Sequence, residues 1–119
     1  MISNRILQTT VEGLKAISRV DLCIVDADKN VAAKTFDNVS ECLADAISFI
    51  DSPAESQAVN GFQFFKVEDE GNLEYIIMAR GTSDDIYMVG KLAAFQIQNL
   101  LVAYKAVSYT HLRAHETRH

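Results

Sequence analysis

Two short runs of this sequence, residues 22–25 (LCIV) and 75–79 (YIIMA), are apolar at every position. A strand with one face in water alternates between apolar and polar residues, whereas a strand that is covered on both faces does not. We therefore expect these runs to be central strands of a sheet that carries helices on both faces. With 49% hydrophobic residues, the chain has enough apolar material for such a core.

The periodicity of the remaining apolar residues predicts the element order α-β-β-α-β-β-α. Helical spacing predicts three helices, over residues 2–18, 39–50 and 84–105. Short β-rich runs predict two hairpins, with strands over residues 20–25, 30–35, 61–67 and 73–80. The second and third of these strands have a mixed composition, which is typical of sheet edges. The expected fold is α+β, with an antiparallel four- or five-stranded sheet ordered 2-1-4-3 and long N- and C-terminal helices.

The end of the chain differs from the rest. With ordinary codons, residues 107–117 (VSYTHLRAHET) spell a transposase adapter that is used to prepare DNA sequencing libraries. We therefore expect residues 106–119 to be a non-native, adapter-encoded tail, and residues 1–105 to be a sensor or dimerisation domain truncated inside a helix. The tail is expected to be disordered or to extend the last helix briefly.

The tail contains all three histidines of the chain, His111, His115 and His119. Their i, i+4, i+8 spacing is typical of metal ligands on one helical face, but in a non-native tail it predicts no metal site. Residues 1–105 contain no histidine, which excludes Ser-His-Asp and Cys-His catalysis there. The five glycines are isolated, so no phosphate-binding loop is present. Carboxylates are available, but no pair stands out, and we expect neither an enzyme nor a cofactor.

Charge and composition also bear on the partners. The chain has a net charge of −5, or −6 without Arg113, Glu116 and Arg118 of the tail, and its basic residues are scattered. This pattern does not favour nucleic-acid binding by these residues. No signal-peptide pattern and no continuous apolar run of about twenty residues is present, which predicts a cytoplasmic protein without a membrane segment. Cys23 and Cys42 are expected to be reduced, small buried residues.

The last helix carries two apolar stripes. The first comprises Ile86, Val89, Ala93, Ile97, Leu100 and Tyr104. The second comprises Met88, Leu92, Phe95 and Val102. A helix that is apolar over most of its circumference must be buried on more than one side. A fuller core can use both stripes, but we favour a dimer or interdomain interface formed by the second.

The element order and the long terminal helices resemble sensor and dimerisation modules of the PAS, GAF and roadblock type. The strand–turn–strand segment VDLCIVDADKNV (residues 20–31) and the helix YMVGKLAAFQIQNLLVAYK (residues 87–105) resemble the N-terminal region of bacterial transcriptional regulators of the sugar diacid regulator (CdaR) and PucR kind. This resemblance implies a ligand-sensing, dimerising domain whose DNA-binding helix-turn-helix part is missing. The alternative is a stand-alone roadblock-like adaptor that dimerises and scaffolds a partner without binding a small molecule.

A carboxylate ligand such as a sugar diacid needs cationic or N–H donors in a pocket. The candidate ligand-binding residues are Ser52, Ser56, Gln57 and Arg80. Each is equally typical of a solvated loop or of a strand end at the surface. Asp84 and Asp85, close to Arg80 in the sequence, would oppose an anion.

Overall fold

The computed structural model describes the backbone of residues 2–116 and the side chains of residues 2–107. The elements in chain order are α1 (Asn4–Ser18), β1 (Leu22–Asp26), β2 (Val31–Lys34), α2 (Ser40–Ile50), β3 (Ser56–Val59), β4 (Phe62–Asp69), β5 (Asn72–Arg80) and α3 (Asp84–Glu116). The strands form one sheet with the order β2-β1-β5-β4-β3, in which every neighbouring pair is antiparallel.

The seven predicted elements are all present, and the predicted strand order 2-1-4-3 corresponds to β2-β1-β5-β4. The difference is β3, a four-residue strand that pairs with β4 and converts the predicted edge strand into an internal one. The sequence of β3, SQAV, has a single β-branched residue, which is too weak a pattern to predict a strand. This segment becomes a strand because its backbone pairs with β4.

The sheet separates two hydrophobic cores. Successive residues of β1 and β5 point to opposite faces, so their continuous apolar runs supply both cores. Ile24 and Ile77 face α1 and α3, whereas Cys23 and Met78 face α2. The expected helices on both faces are therefore observed.

The packing of α3 on β4 is unusually close at Gly90. A Cβ atom on Gly90 would lie 2.1 Å from Cε2 of Phe65. Glycine lowers helix stability by about 1 kcal/mol relative to alanine. Here the absence of a side chain allows the aromatic ring of β4 to pack directly against the helix backbone.

The two edges of the sheet differ. At the β2 edge, the amide of Gln8 on α1 donates from Nε2 to the Lys34 carbonyl (2.8 Å) and accepts at Oε1 from the Lys34 N–H (2.9 Å). This side chain takes the place of a neighbouring strand and blocks further pairing at this position. At the opposite edge, Gln57 and Ala58 in the centre of β3 are exposed.

Within α3, the stretch Asp84–Val107 is long and apolar enough to cross a membrane by length and composition alone. The stretch is not a continuous apolar run, because Lys91, Gln96, Gln98 and Asn99 interrupt it. The inward side of the same helix, with Ala93, Ile97 and Leu101, is buried in the core against the sheet. Such packing is characteristic of a core helix of a globular domain.

The backbone of α3 continues to Glu116, through most of the segment that is expected to be adapter-encoded. Of the two behaviours expected for the tail, helical extension is the one observed. Residues 117–119 and the side chains of His111, His115 and His119 lie outside the described residues.

We predict that Gly90→Ala lowers the free energy of unfolding by about 1–3 kcal/mol, because overpacking against Phe65 outweighs the gain in helix propensity. Urea denaturation measures the difference. In a Phe65→Leu background, which removes the aromatic ring, the same substitution should cost clearly less. An unchanged or higher stability of Gly90→Ala in the wild-type background would contradict the close contact.

Candidate functional site

The second stripe of α3 is the main exposed apolar feature of the fold. Its four residues are more than half exposed, at 64% for Met88, 55% for Leu92, 64% for Phe95 and 57% for Val102. In the first stripe, Ala93 and Ile97 are buried and Ile86, Val89 and Leu100 are partly buried, whereas Tyr104 is exposed. The core formed by the described residues therefore uses the first stripe and leaves the second one in solvent.

Helix α1 extends this exposed region. Ile6 and Ile17 lie on one face of α1, separated by three helical turns, and Ile17 is 86% exposed. A groove of about 510 Å³ lies between α1 and α3. Ile17, Leu92 and Phe95 line this groove. We call these three residues, together with the exposed Ile6 of α1 and the exposed Met88 and Val102 of α3, the helical surface.

The groove itself carries no charged side chain among its lining residues. These residues are Thr9, Thr10, Gly13, Leu14, Ile17, Leu92, Phe95 and Gln96. An uncharged, mostly apolar groove of this kind is suited to an apolar side chain or helix and offers no fixed charge for an anionic small molecule.

Arg80, the cationic candidate for ligand binding, contacts other residues of the fold. Its guanidinium lies over the rings of Phe36 (4.7 Å to the centroid) and Phe62 (5.6 Å), and Nη1 is 3.8 Å from Oδ2 of Asp21. Cross-strand partners share a face of the sheet. Arg80 is paired with Phe62, and Ser56 with Phe65, the residue that faces α3. Arg80 and Ser56 therefore lie on opposite faces.

The other ligand candidates are also separated from Arg80. The Ser52 Oγ accepts from the Ala54 N–H (3.3 Å), and the Ser52 carbonyl accepts from Lys66 Nζ. Ser56 and Gln57 line a cavity of about 260 Å³ with Phe65 and Tyr87 among its other walls, and neither Ser52 nor Arg80 belongs to that lining. The four residues are not gathered into one pocket, and the carboxylate-ligand site stays a prediction.

A charged cluster around Asp21 was not anticipated from the sequence. Its carboxylate accepts hydrogen bonds from Lys15 Nζ and from Thr35 Oγ1 (3.0 Å), and Arg80 lies nearby. Burial raises the pKa of Asp21, but the hydrogen bonds from Lys15 and Thr35 and the nearby positive charges outweigh it, so the net pKa lies below its usual value. The cluster links α1 to β1, β2 and β5, and its members are too far apart in the sequence to form a recognisable motif.

The cysteines do not offer a nucleophile. Cys23 and Cys42 are free and buried. Burial, with a contribution from nearby Cys42, raises the pKa of the Cys23 thiol to about 12. Burial likewise raises the pKa of Cys42. Both side chains are therefore protonated thiols at neutral pH, which are poor nucleophiles and poor metal ligands. Among the side chains that the structure describes, no three His, Cys, Asp or Glu residues are placed to hold a metal ion.

The Asp21 cluster predicts a pH-dependent contribution to stability. Because the folded-state pKa of Asp21 is lowered, its contribution is complete above the unfolded-state pKa, near 3.8, and is lost as the pH falls through the folded-state pKa. Asp21→Asn should lower the free energy of unfolding by about 1–3 kcal/mol at pH 7, and the difference should shrink below pH 4. Urea denaturation at both pH values tests this, with exposed Asp28→Asn as the control for removing one negative charge. If Asp21→Asn lowered the free energy of unfolding by the same amount at pH 7 and pH 3, the lowered pKa of Asp21 would be contradicted.

Comparison with known proteins supports the fold. No family model matches the sequence, and no curated protein matches it. Among solved structures, the chain is similar to Myxococcus xanthus MglB, with a TM-score of 0.55, 9% sequence identity and an alignment that covers 87% of this chain and 94% of that chain. At this identity the likeness concerns the fold alone. The fold is α+β with a five-stranded antiparallel sheet, as the sequence predicts, and among the PAS, GAF and roadblock types that the sequence resembles it fits the roadblock-like one.

Proposed function

We propose that this chain is a non-enzymatic, roadblock-like adaptor module that forms homodimers through the helical surface. The observation that carries the proposal is the row of Met88, Leu92, Phe95 and Val102 on α3, exposed beside Ile17 of α1. Folded monomers rarely expose contiguous apolar patches larger than a few hundred Å², and larger patches mark interaction sites.

The extent of the helical surface suits a second copy as the partner. Six apolar side chains that are about half exposed or more present on the order of 700 Å² per copy, close to the ~800 Å² per partner of a standard interface. Two such surfaces placed face to face would bury most of this apolar area. The apolar area is therefore of the size that a homodimer interface requires.

Electrostatics favour the same surface for self-association. The chain carries a net charge of −5, so two copies repel one another at long range. The groove at the centre of the helical surface is lined without a charged side chain. Contact through this groove therefore buries no charged lining residue, which keeps the cost of association low.

The sensor function implied by the resemblance to CdaR- and PucR-type regulators lacks such support. Its candidate ligand residues Ser52, Ser56, Gln57 and Arg80 are not gathered into one pocket. It stays a prediction, together with DNA binding by a missing domain. We propose likewise that the protein is cytoplasmic and that residues 106–119 are of non-native origin.

Light scattering of the full 119-residue chain tests the dimer. We expect wild type at high micromolar concentration to have twice the monomer mass of 13.2 kDa, and Leu92→Glu/Phe95→Glu to have the monomer mass. The dimer of this variant would bury two unpaired carboxylates from each copy, four in all, in an apolar interface, which costs several kcal/mol and is enough to abolish association. Circular dichroism establishes that the double variant is folded, because both positions are exposed in the monomer.

Ala44→Glu is the matched control. Ala44 is an exposed position on α2, on the opposite face of the sheet, and the substitution also adds one carboxylate to a helix. This variant should remain dimeric. A monomeric wild type, or a dimer that survives Leu92→Glu/Phe95→Glu, would overturn the proposal. Loss of the dimer in Ala44→Glu alone would place the interface on the α2 face instead.

A further inference from the structure

Gly13 is an exposed glycine within α1 that no contact inside the described chain explains. It is not among the positive-φ glycines, and a Cβ atom added to it would have no atom within 4 Å apart from its chain neighbours and the adjacent backbone of α1. Glycine within a helix is destabilising relative to alanine. At Gly90 the ring of Phe65 occupies the space that a side chain would need, but at Gly13 that space is open. The space beside Gly13 is therefore open to solvent and can accept a side chain from another molecule.

Gly13 lines the groove between α1 and α3, together with two threonines whose polar groups are already satisfied. Thr9 Oγ1 donates to the Arg5 carbonyl (3.0 Å), and Thr10 Oγ1 donates to the Ile6 carbonyl (2.8 Å). Because both hydroxyl groups already donate hydrogen bonds within α1, an apolar side chain that enters the groove leaves neither donor without a partner. The result is an uncharged notch with exposed helix backbone at Gly13 and apolar Ile17 at its end.

We infer that the notch at Gly13 receives the Phe95 side chain of a second copy, in a two-fold symmetric interface. This inference rests on the proposed homodimer and adds its packing and the part played by α1. A two-fold interface is self-complementary, so one surface must carry both the projecting group and its recess. Phe95 is 64% exposed and lines the same groove as Gly13, which meets this requirement within one copy.

Replacing Gly13 by alanine should change the stability of the monomer and the affinity of the dimer in opposite directions. Gly13→Ala should raise the melting temperature of the monomer by several degrees, because alanine is the better helix former and meets no clash. It should also weaken the dimer by at least about tenfold in Kd, since the methyl group occupies part of the notch. Gly13→Leu fills the notch and should weaken the dimer by about a hundredfold or more.

Sedimentation equilibrium of the full chain gives Kd for each variant, and thermal denaturation at a concentration where the protein is monomeric gives the melting temperature. Ala16→Leu is the matched control, because Ala16 is an exposed α1 position that lines a different cavity. It adds the same kind of side chain and should leave Kd unchanged. Phe95→Ala should weaken the wild-type dimer but have little further effect in the Gly13→Leu background, where the ring is no longer seated.

The outcomes separate this inference from the homodimer itself. Suppose that Leu92→Glu/Phe95→Glu abolishes the dimer but Gly13→Leu leaves its Kd unchanged. This result would contradict the seating of Phe95 at Gly13 and would still support the homodimer. A wild type that is monomeric at high micromolar concentration overturns both. A Gly13→Ala variant that is more stable as a monomer and weaker as a dimer, with Ala16→Leu unchanged, supports the notch.

Discussion

Burial of both faces of β1 and β5 is the constraint on which the rest of this structure depends. These central strands are apolar at successive positions, and successive side chains of a strand point to opposite sides. Each face therefore needs its own layer of helix. One face is covered by α2 alone, whereas α1 and α3 share the other, and two helices side by side produce a groove between them.

This arrangement explains why α3 has an exposed apolar side. The sheet contacts only one side of a helix that lies on it. Gly90 permits a close approach to Phe65, so this side of α3 faces the sheet. Ala93 and Ile97 then point into the core, and Leu92 and Phe95 point along the groove and outward. The same contact that stabilises the fold thus presents the helical surface to a partner.

Polar interactions act at the margins of this apolar framework. The Gln8 amide satisfies both backbone groups of Lys34 at one edge of the sheet. The Asp21 carboxylate joins α1 to the sheet through Lys15 and Thr35, and it holds Arg80 against the strand ends. These contacts keep α1 in place beside α3, so the groove is a property of a well-anchored pair of helices.

The sequence alone determined the element order and the two stripes of α3, because these follow from local periodicity. It also determined the order of four strands and the two covered sheet faces, because these follow from the composition of each strand. Other features depend on neighbours that are distant in the chain. The weak SQAV pattern becomes β3 only through pairing with β4, and strand register places Ser56 and Arg80 on opposite faces. Gly13 and Gly90 look alike in the sequence, yet one is open and the other is in contact with an aromatic ring. Only tertiary packing distinguishes them, because that difference lies in the atoms that surround each glycine.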